Sequence, residues 1–570
     1  MKYRLIDGSL NDINNPQLTI LKNRGINDID KFLNINKNVV HDYQLLKNID
    51  KAVECLLKHI ENNSNIHIVI DSDSDGYTSA AIMYQYIKLL NKNIKITYSI
   101  HKGKEHGLSK DIKIPSNINL LIIPDAGSND YEQLEKLHDK GIDIIVLDHH
   151  LVEKESEHAI IVNNQISKYP NKNLSGVGVV YRFLQALDDE TWNNYADNFL
   201  DLVALGNIAD VMDTRELETR YYINKGLSQV NNKMFKALID KQYYSIRDEI
   251  NITNMAFYIV PLINAMIRFG TMEQKTLLFE GFIEHDMEFD YKPRGKKETI
   301  KETIYEKVAR ECVNAKSRQG RSRDKAVEEI KEIINKQQLY NDKIIILNVN
   351  DILDKNLTGL VAMQIANYYQ RPCLLLRPKK DNKEVLSGSA RNYDKFIVKD
   401  LRSFINELDI FDYAQGHENA FGVQIKKDYI NSTIEKINNQ LKDIDIQNIY
   451  EVDFIVPFEN LTDEFIIEVD ELKDIWGQGV KESCIAIENI DLVVEDIQIL
   501  GNKSNTIKFE VDGIEFVKFR VDENDKLLNI YNSWETDITN VKLNIVGRCG
   551  LNEWDGVKSM QVIIDDYEII

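Results

Sequence analysis

Cysteine is scarce in this 570-residue chain: Cys55, Cys312, Cys373, Cys484 and Cys549 lie far apart and form no Cys-x-x-Cys pair. That excludes a zinc site readable from spacing and points to a reducing, cytoplasmic setting. The opening residues, Met1 to Asp7, lack the apolar core of a signal peptide. No stretch stays apolar for the ~18 residues of a membrane span, so neither secretion nor membrane insertion is expected. Fixed-period repeats and low-complexity tracts are absent, and isolated Ser and Cys residues form no triad-like pattern. Positive charge is in deficit, 70 Lys and Arg against 91 Asp and Glu, a net −21. Such a balance argues against broad, non-specific affinity for duplex DNA, though not against a local basic groove.

Acidic turns after apolar runs are what the chain does have. Ile66-His67-Ile68-Val69-Ile70 leads into Asp71-Ser72-Asp73-Ser74-Asp75-Gly76. Three carboxylates this close repel one another, and a hard divalent cation is the usual compensation. Asp-x-Asp-x-Asp-Gly also opens an EF-hand loop, but position twelve of that loop needs a bidentate Glu and here is Ile82. The β-branched flank and the helical pattern running to about Leu90 give strand, acidic turn, helix instead. Two further runs end alike: Leu120 to Pro124 meets Asp125-Ala126-Gly127, and Ile144 to Leu147 meets Asp148-His149-His150. A fourth, Leu202 to Ala209, is also read as strand-like and ends on Asp210. Parallel strands bring their carboxyl ends to one sheet edge, where Asp71, Asp73, Asp75, Asp125, His149 and Asp210 would converge. A single strand-end Asp is usually a cap or a turn residue. Five carboxylates and one imidazole suit two Mn2+ or Mg2+ ions better than zinc, and paired ions stabilise in-line phosphoryl displacement.

The wider pattern predicts an α/β fold: a parallel-sheet domain over 1–290, a helical connector over 291–340, a smaller α/β domain over 341–449 and an all-β barrel over 450–570. Strand-like runs alternate with helices from about 63 to 210, and helices follow from Val177 to Glu284. Lys292 to Gln338 is charged; its later part, Asp324–Gln338, reads as a solvated helix linking two lobes rather than a basic nucleic-acid arm. Ile344–Leu347, the Gly359–Tyr369 helix and Cys373–Leu376 open the second α/β unit. Short alternating strands from about 450 onward give the barrel.

In this order and spacing, Asp-x-Asp-x-Asp-Gly-x-Thr-Ser, Asp-x-Gly, Asp-His-His and Ala-Asp-Val resemble the DHH phosphoesterase superfamily. Within it the chain is similar to the RecJ family of 5′→3′ single-strand-specific DNA exonucleases over nearly its whole length. Leu174-Ser175-Gly176-Val177-Gly178, Pro261-Leu262-Ile263-Asn264-Ala265 with Arg268, Ser387-Gly388-Ser389-Ala390-Arg391 and Gly416-His417 carry the narrower likeness. So do Val546-Gly547-Arg548 and Asn552 to Gly556, in a region similar to the family's oligonucleotide-binding (OB) barrel. The resemblance implies that Asp71 and Asp73 hold one ion, that Asp75, His149 and Asp210 hold the other, and that Asp125 bridges. It implies that Asp148 orients His149, that His150 faces the scissile phosphate, and that nucleoside 5′-monophosphates are released in DNA recombination, repair or replication. Ser389 and Arg391 would grip a phosphate, with His417, Asn264 and Arg268 also contacting the strand in a passage too narrow for duplex. Trp534, Trp554 and Phe519 would stack bases, against core packing as the ordinary role of any one of them. A surface ion pair is the rival role for Arg391 and a packed interface histidine for His417. Single-stranded DNA is the implied partner, with a single-strand-binding protein or helicase beside it, and a monomer is expected.

The departures cluster in strand-gripping segments: Leu262 for Arg in Pro-Arg-x-Asn, Met266 and Ile267 for small residues, Gln415 for the first Gly of Gly-Gly-His. His101 to Leu108 matches the basic Gly-Tyr-Gly-Leu segment only loosely. Every ligand position is retained. Two other readings stay in view: a phosphodiesterase acting on short RNA or dinucleotides, and a non-catalytic replication scaffold, for which eroded ligands would be expected.

Overall fold

The N-terminal strand β1 (Lys2–Leu5) does not join the sheet that follows it in sequence. It pairs in parallel with Ile449–Val452, Lys2 opposite Ile449. The computed structural model describes all residues except 248, 351, 380, 444–448, 502–504, 522–523, 533–537, 555 and the side chain of Trp554. The chain divides into two units: one of Ile26–Arg318 with Asp474–Lys481, the other of Met1–Gly25, Gln319–Lys473 and Glu482–Ile570. The expected boundaries therefore shift. The first 25 residues leave the 1–290 segment, and Asp474–Lys481 leaves the 450–570 segment, with Thr214 N donating to Gln478 O at 2.9 Å.

In the Ile26–Arg318 unit, strands β2 (Ile66–Ile70), β3 (Ile96–Ile100), β4 (Leu120–Pro124), β5 (Asp143–Asp148) and β6 (Ile160–Asn163) form a parallel sheet in the order 3-2-4-5-6. β2 and β4 are buried at every position, as expected where helices cover both faces of a parallel sheet. Side chains alternate between faces. Ile66, Ile68, Ile70, Leu120 and Ile122 join the larger core with the helices, while Val69, Leu121, Ile123 and Val146 join a smaller one. Strand order reverses between β2 and β4, so the connections leaving these two strands diverge and open a crevice at their carboxyl ends.

His67 alternates with those isoleucines and is equally buried. Its Nδ1 lies 2.8 Å from Thr97 Oγ1 and its Nε2 2.9 Å from Ser99 Oγ. Burial holds the imidazole pKa down at about 4, against about 6.5 in an unfolded chain. The unfolded state therefore binds the extra proton first, and stability should fall as pH drops from about 6.5 to 4, by up to ~3 kcal/mol from this residue. Denaturation midpoints of parent and His67→Gln at pH 7 and pH 4.5 check this; a pH dependence that is the same in both refutes it.

Leu200–Ala209 is a helix, which corrects its reading as a strand: Leu200 to Ile208 are buried on every side, between the helices Ser74–Leu90 and Leu217–Leu227. A run broken only by Asp201 and Asn207 carries too little periodicity to separate the two states, and its Leu and Ala residues favour the helix. The charged stretch also differs. A hairpin, β7 (Glu288–Tyr291) and β8 (Ile300–Thr303), precedes one 34-residue helix, Ile304–Gln337, within which the chain passes between units. Ile252–Phe269 is apolar and long enough to cross a bilayer by composition, and half of it is buried.

The other unit carries a mixed sheet of β9 (Ile345–Asn348), β10 (Cys373–Pro378), β11 (Val385–Arg391), β12 (Tyr413–His417) and β13 (Ala420–Lys426), in the order 12-13-11-10-9. The Thr358–Tyr369 helix packs on β10 and β11. β14 (Ile449–Val452) takes β1. Then β15 (Phe454–Pro457), β16 (Ile485–Val493), β17 (Gln498–Leu500), β18 (Thr506–Val511), β19 (Ile514–Phe519), β20 (Asn540–Trp554) and β21 (Val557–Ile569) form a seven-stranded sheet ordered 15-16-20-21-19-18-17. Register shifts at Ile487/Ile490 and Val546/Gly547 add curvature to it. A parallel-sheet unit, a long helix, a smaller α/β sheet and a C-terminal all-β sheet make up the expected fold class.

Candidate metal centre

Each acidic turn closes the crevice from a different element. Asp73, in extended backbone, caps the Ser74–Leu90 helix, its Oδ1 accepting from Gly76 N at 2.9 Å. Asp75 sits at the amino end of a second helix, Gly176–Thr191. There its carboxylate accepts from Gly176 N at 2.7 Å, Val177 N at 3.2 Å and Ser175 Oγ at 3.1 Å. Asp71 accepts from Gly107 N at 2.9 Å and lies 2.5 Å from His106 Nδ1. Asp125 follows β4 with φ at +69°, a left-handed conformation that Asp tolerates better than most residues, and its N donates to Leu147 O at 2.7 Å. Asp210 caps the carboxyl end of the Leu200–Ala209 helix. That helix ends with Val211 N donating to Ile208 O and Met212 N to Asn207 O, a left-handed stop made by a valine at φ +58° where glycine is usual.

The ligand atoms gather into groups. Asp71, Asp73 and His106 offer atoms all within 4.8 Å of one another; so do Asp75, His149 and Asp210, and also Asp125, His149 and His150. His149 Nε2 is 3.3 Å from Asp125 Oδ1 and 3.4 Å from Asp210 Oδ2. Asp148, expected to orient His149, holds it through the backbone. It accepts from the His149 backbone N at 2.7 Å and holds the His150 ring through Nδ1 at 2.8 Å, with Ser128 N on its other oxygen. The sequence reading also passed over His106 and the cradle formed by the Ser175 hydroxyl and the Gly176 and Val177 N–H groups. A histidine immediately before Gly107-Leu108 was the available signal for the first.

Charge explains what this cluster requires. Burial first, and then Asp73, push the Asp75 carboxyl up to about 6. Burial and the neighbouring carboxylates raise Asp125 and Asp210 well above the usual range, and burial with Asp71 raises Asp73. Burial alone would raise Asp148 and lower His150, but their mutual hydrogen bond prevails: Asp148 falls below the usual range and His150 rises to about 10. Asp125 Oδ1 is buried without a hydrogen-bond partner among the described residues. Crowded, mutually repelling carboxylates with an orphaned oxygen fit hard divalent cations.

Asn264 and Arg268 lie beside this cluster on the Val260–Phe269 helix. Asn264 Oδ1 accepts from Ser74 Oγ at 3.0 Å; burial lowers the Arg268 pKa while Asp73 raises it. Ser389, Arg391 and His417 belong to the other unit. Ser389 Oγ donates to Thr358 Oγ1 at 3.1 Å, and the Arg391 guanidinium lies over Gly359 at the start of the Thr358–Tyr369 helix: a Cβ on Gly359 would stand 2.5 Å from Nη2. His417 is exposed at the end of β12, as is Phe519 at the end of β19. Trp534 and the Trp554 side chain fall outside the described residues.

Residues 65–207 match the N-terminal domain of the DHH family, and residues 452–566 match the RecJ OB domain. Over 100% of its length the chain is 43% identical to YorK of Bacillus subtilis (strain 168), an SPbeta prophage-derived protein named by inference as a single-strand DNA-specific exonuclease, of which 98% is covered. It is 25% identical to the single-stranded-DNA-specific exonuclease RecJ of the same bacterium, over 94% of this chain and 65% of that one. The structure of RecJ in complex with Mn2+ from Thermus thermophilus matches with a TM-score of 0.70 at 17% identity, over 100% of this chain and 78% of that one. The Mg2+ complex of the same protein matches at 0.66 and 16%, over 100% and 77%. From this likeness along its entire length, the chain belongs to the RecJ family of single-strand-specific DNA exonucleases.

Proposed function

We propose that the protein degrades single-stranded DNA from its 5′ end to nucleoside 5′-monophosphates, using two divalent ions, Mn2+ or Mg2+. The observation that carries this is the gathering of Asp71, Asp73, Asp75, Asp125, Asp210 and His149 at the switch between β2 and β4. Asp71 and Asp73 would hold one ion and Asp75, His149 and Asp210 the other, with Asp125 between. A bound pair supplies positive charge to the reacting phosphate and makes water acidic enough to attack it at neutral pH. The chain's own groups do the rest. Asp148 keeps His150 protonated and turned by Nδ1, which leaves Nε2 to meet a phosphate oxygen or the departing oxygen. Backbone N–H groups at Gly176 and Val177 fix Asp75 so that it cannot turn away.

Grip on the strand is assigned to Arg391, Ser389 and Thr358 around one helix amino end, a setting that suits a phosphate, and to His417, Asn264 and Arg268. Exposed Phe519 offers a stacking surface to a base. Work in recombination, repair or replication, beside a single-strand-binding protein or a helicase, follows from the same reading.

Oligonucleotides labelled at one end test it. With Mn2+, a 5′ label should be released at once as a mononucleotide, a 3′-labelled strand should shorten into a ladder, and duplex should persist. Immediate release of the 3′ label overturns the polarity, and no hydrolysis with either ion overturns the whole reading.

A further inference from the structure

The loop after β3 is fixed far more firmly than an exposed turn requires. Gly107, at φ +57°, donates its N–H to Asp71 Oδ1 at 2.9 Å, and Leu108 N donates to Asp130 Oδ2 at 2.7 Å. Glu105 Oε2 accepts from Gly103 N at 2.8 Å. From beneath, Lys275, a lysine only 1% exposed, spends its ammonium on two loop carbonyls, His101 O at 3.3 Å and Lys102 O at 2.8 Å. Burying a lysine this deeply is costly unless the charge is used. What these contacts position is His106, its Nδ1 2.5 Å from Asp71 Oδ2, closer than His101 of the same loop, whose Nε2 is 4.0 Å from Asp71 Oδ1.

We propose that His106 is a nitrogen ligand of the ion held by Asp71 and Asp73; this rests on the metal-dependent reading above. With it, the two ligand groups have one composition: two carboxylates and an imidazole, Asp71, Asp73 and His106 matching Asp75, Asp210 and His149. Oxygen donors alone suit Mg2+, which also keeps several of its waters. An imidazole in each group moves the preference toward a transition ion such as Mn2+. The residue also departs from the Gly-Tyr-Gly-Leu pattern, since Glu105-His106-Gly107-Leu108 puts an imidazole where that pattern has a phenol. The two carbonyls held by Lys275 make it the positioning residue for this ligand.

The alternative is that His106 only hydrogen-bonds Asp71 and never meets the ion. Calorimetric titration of the metal-stripped full-length chain with Mn2+ and separately with Mg2+, together with nitrogen hyperfine coupling in the Mn2+ electron spin resonance signal, separates the two. In His106→Gln and His106→Tyr, one of two Mn2+ binding events should weaken by about ten- to a hundredfold. Mg2+ binding should change far less, and the intensity of the nitrogen-coupled signal should fall by about half, one of two imidazoles being lost. Equal weakening for both ions, or unchanged coupling, overturns the assignment of His106. Failure of the unaltered chain to bind Mn2+ at all overturns the metal-dependent reading instead. Melting curves of both variants confirm that the exposed substitution leaves the fold intact.

Discussion

Asp125→Asn should melt above the parent protein in metal-free buffer and below it in excess Mn2+, with exonuclease turnover lower by about 10²–10³-fold. Asp125 is 1% exposed, and Asp75, Asp73, Asp71 and Asp210 all oppose its ionisation. Without cations, a neutral isostere removes that repulsion, and asparagine accepts the +69° φ as readily as aspartate does. A gain of about 1–2 kcal/mol is typical when a strained functional group is relieved in this way. Mn2+ reverses the order, because binding to the folded state stabilises the parent by ~2.7 kcal/mol at a hundredfold excess over Kd, and a variant lacking the central carboxylate gains less. Thermal denaturation of both proteins with and without Mn2+ reads the crossing directly. The same order in both buffers would refute the role given to Asp125.

Gly176→Ala should cost about a hundredfold in turnover although the residue ligates nothing. A methyl there would stand 2.2 Å from Asp125 Oδ1 and 2.6 Å from Asp125 Cβ, and Gly176 N is already committed to Asp75 at 2.7 Å. Either the carboxylate moves or the helix does, and a displacement near 1 Å is enough for a loss of that size. Overpacking adds about 1–3 kcal/mol of destabilisation. Gly178→Ala is the matched comparison, since the atoms nearest its methyl would be those of the Leu174 side chain, at 2.4 Å, and not a carboxylate. The two variants should lose similar stability, but only Gly176→Ala should weaken Mn2+ binding. Equal effects on Mn2+ affinity would show that Gly176 serves packing alone.

The strands that end in Asp71, Asp125 and Asp148 were legible because a strand buried on both faces leaves an apolar run that stops abruptly at a charge. The Ser74–Leu90 helix was legible from the pattern that follows the acidic turn. Asp210 was placed on the wrong element: Leu202 to Ala209 has a single polar residue, Asn207, too little to reveal a helical period, and its stop is Val211 rather than a glycine. Ile304 to Asp324 was passed over as helix because charge masks its periodicity, although Ile304, Tyr305, Val308, Ala309, Cys312 and Ala315 mark a buried stripe. His106 was hidden for another reason. Its role depends on Lys275 and Gly107 folding a loop back onto Asp71, and no local pattern encodes such a contact.

The pairing of β1 with β14 sets a timetable for synthesis. Met1–Gly25 leaves the ribosome long before its partners, Ile449–Val452 and the Asp453 carboxylate that takes Arg24 at 2.7 Å and Asn23 at 2.9 Å, are made. At bacterial or eukaryotic elongation speeds the first strand waits about 20–90 s with an open edge. Meanwhile all of the parallel-sheet unit except Asp474–Lys481 is complete and free to fold. The parallel-sheet half can thus be built, and its carboxylates brought together, before the half that closes around its own amino terminus exists.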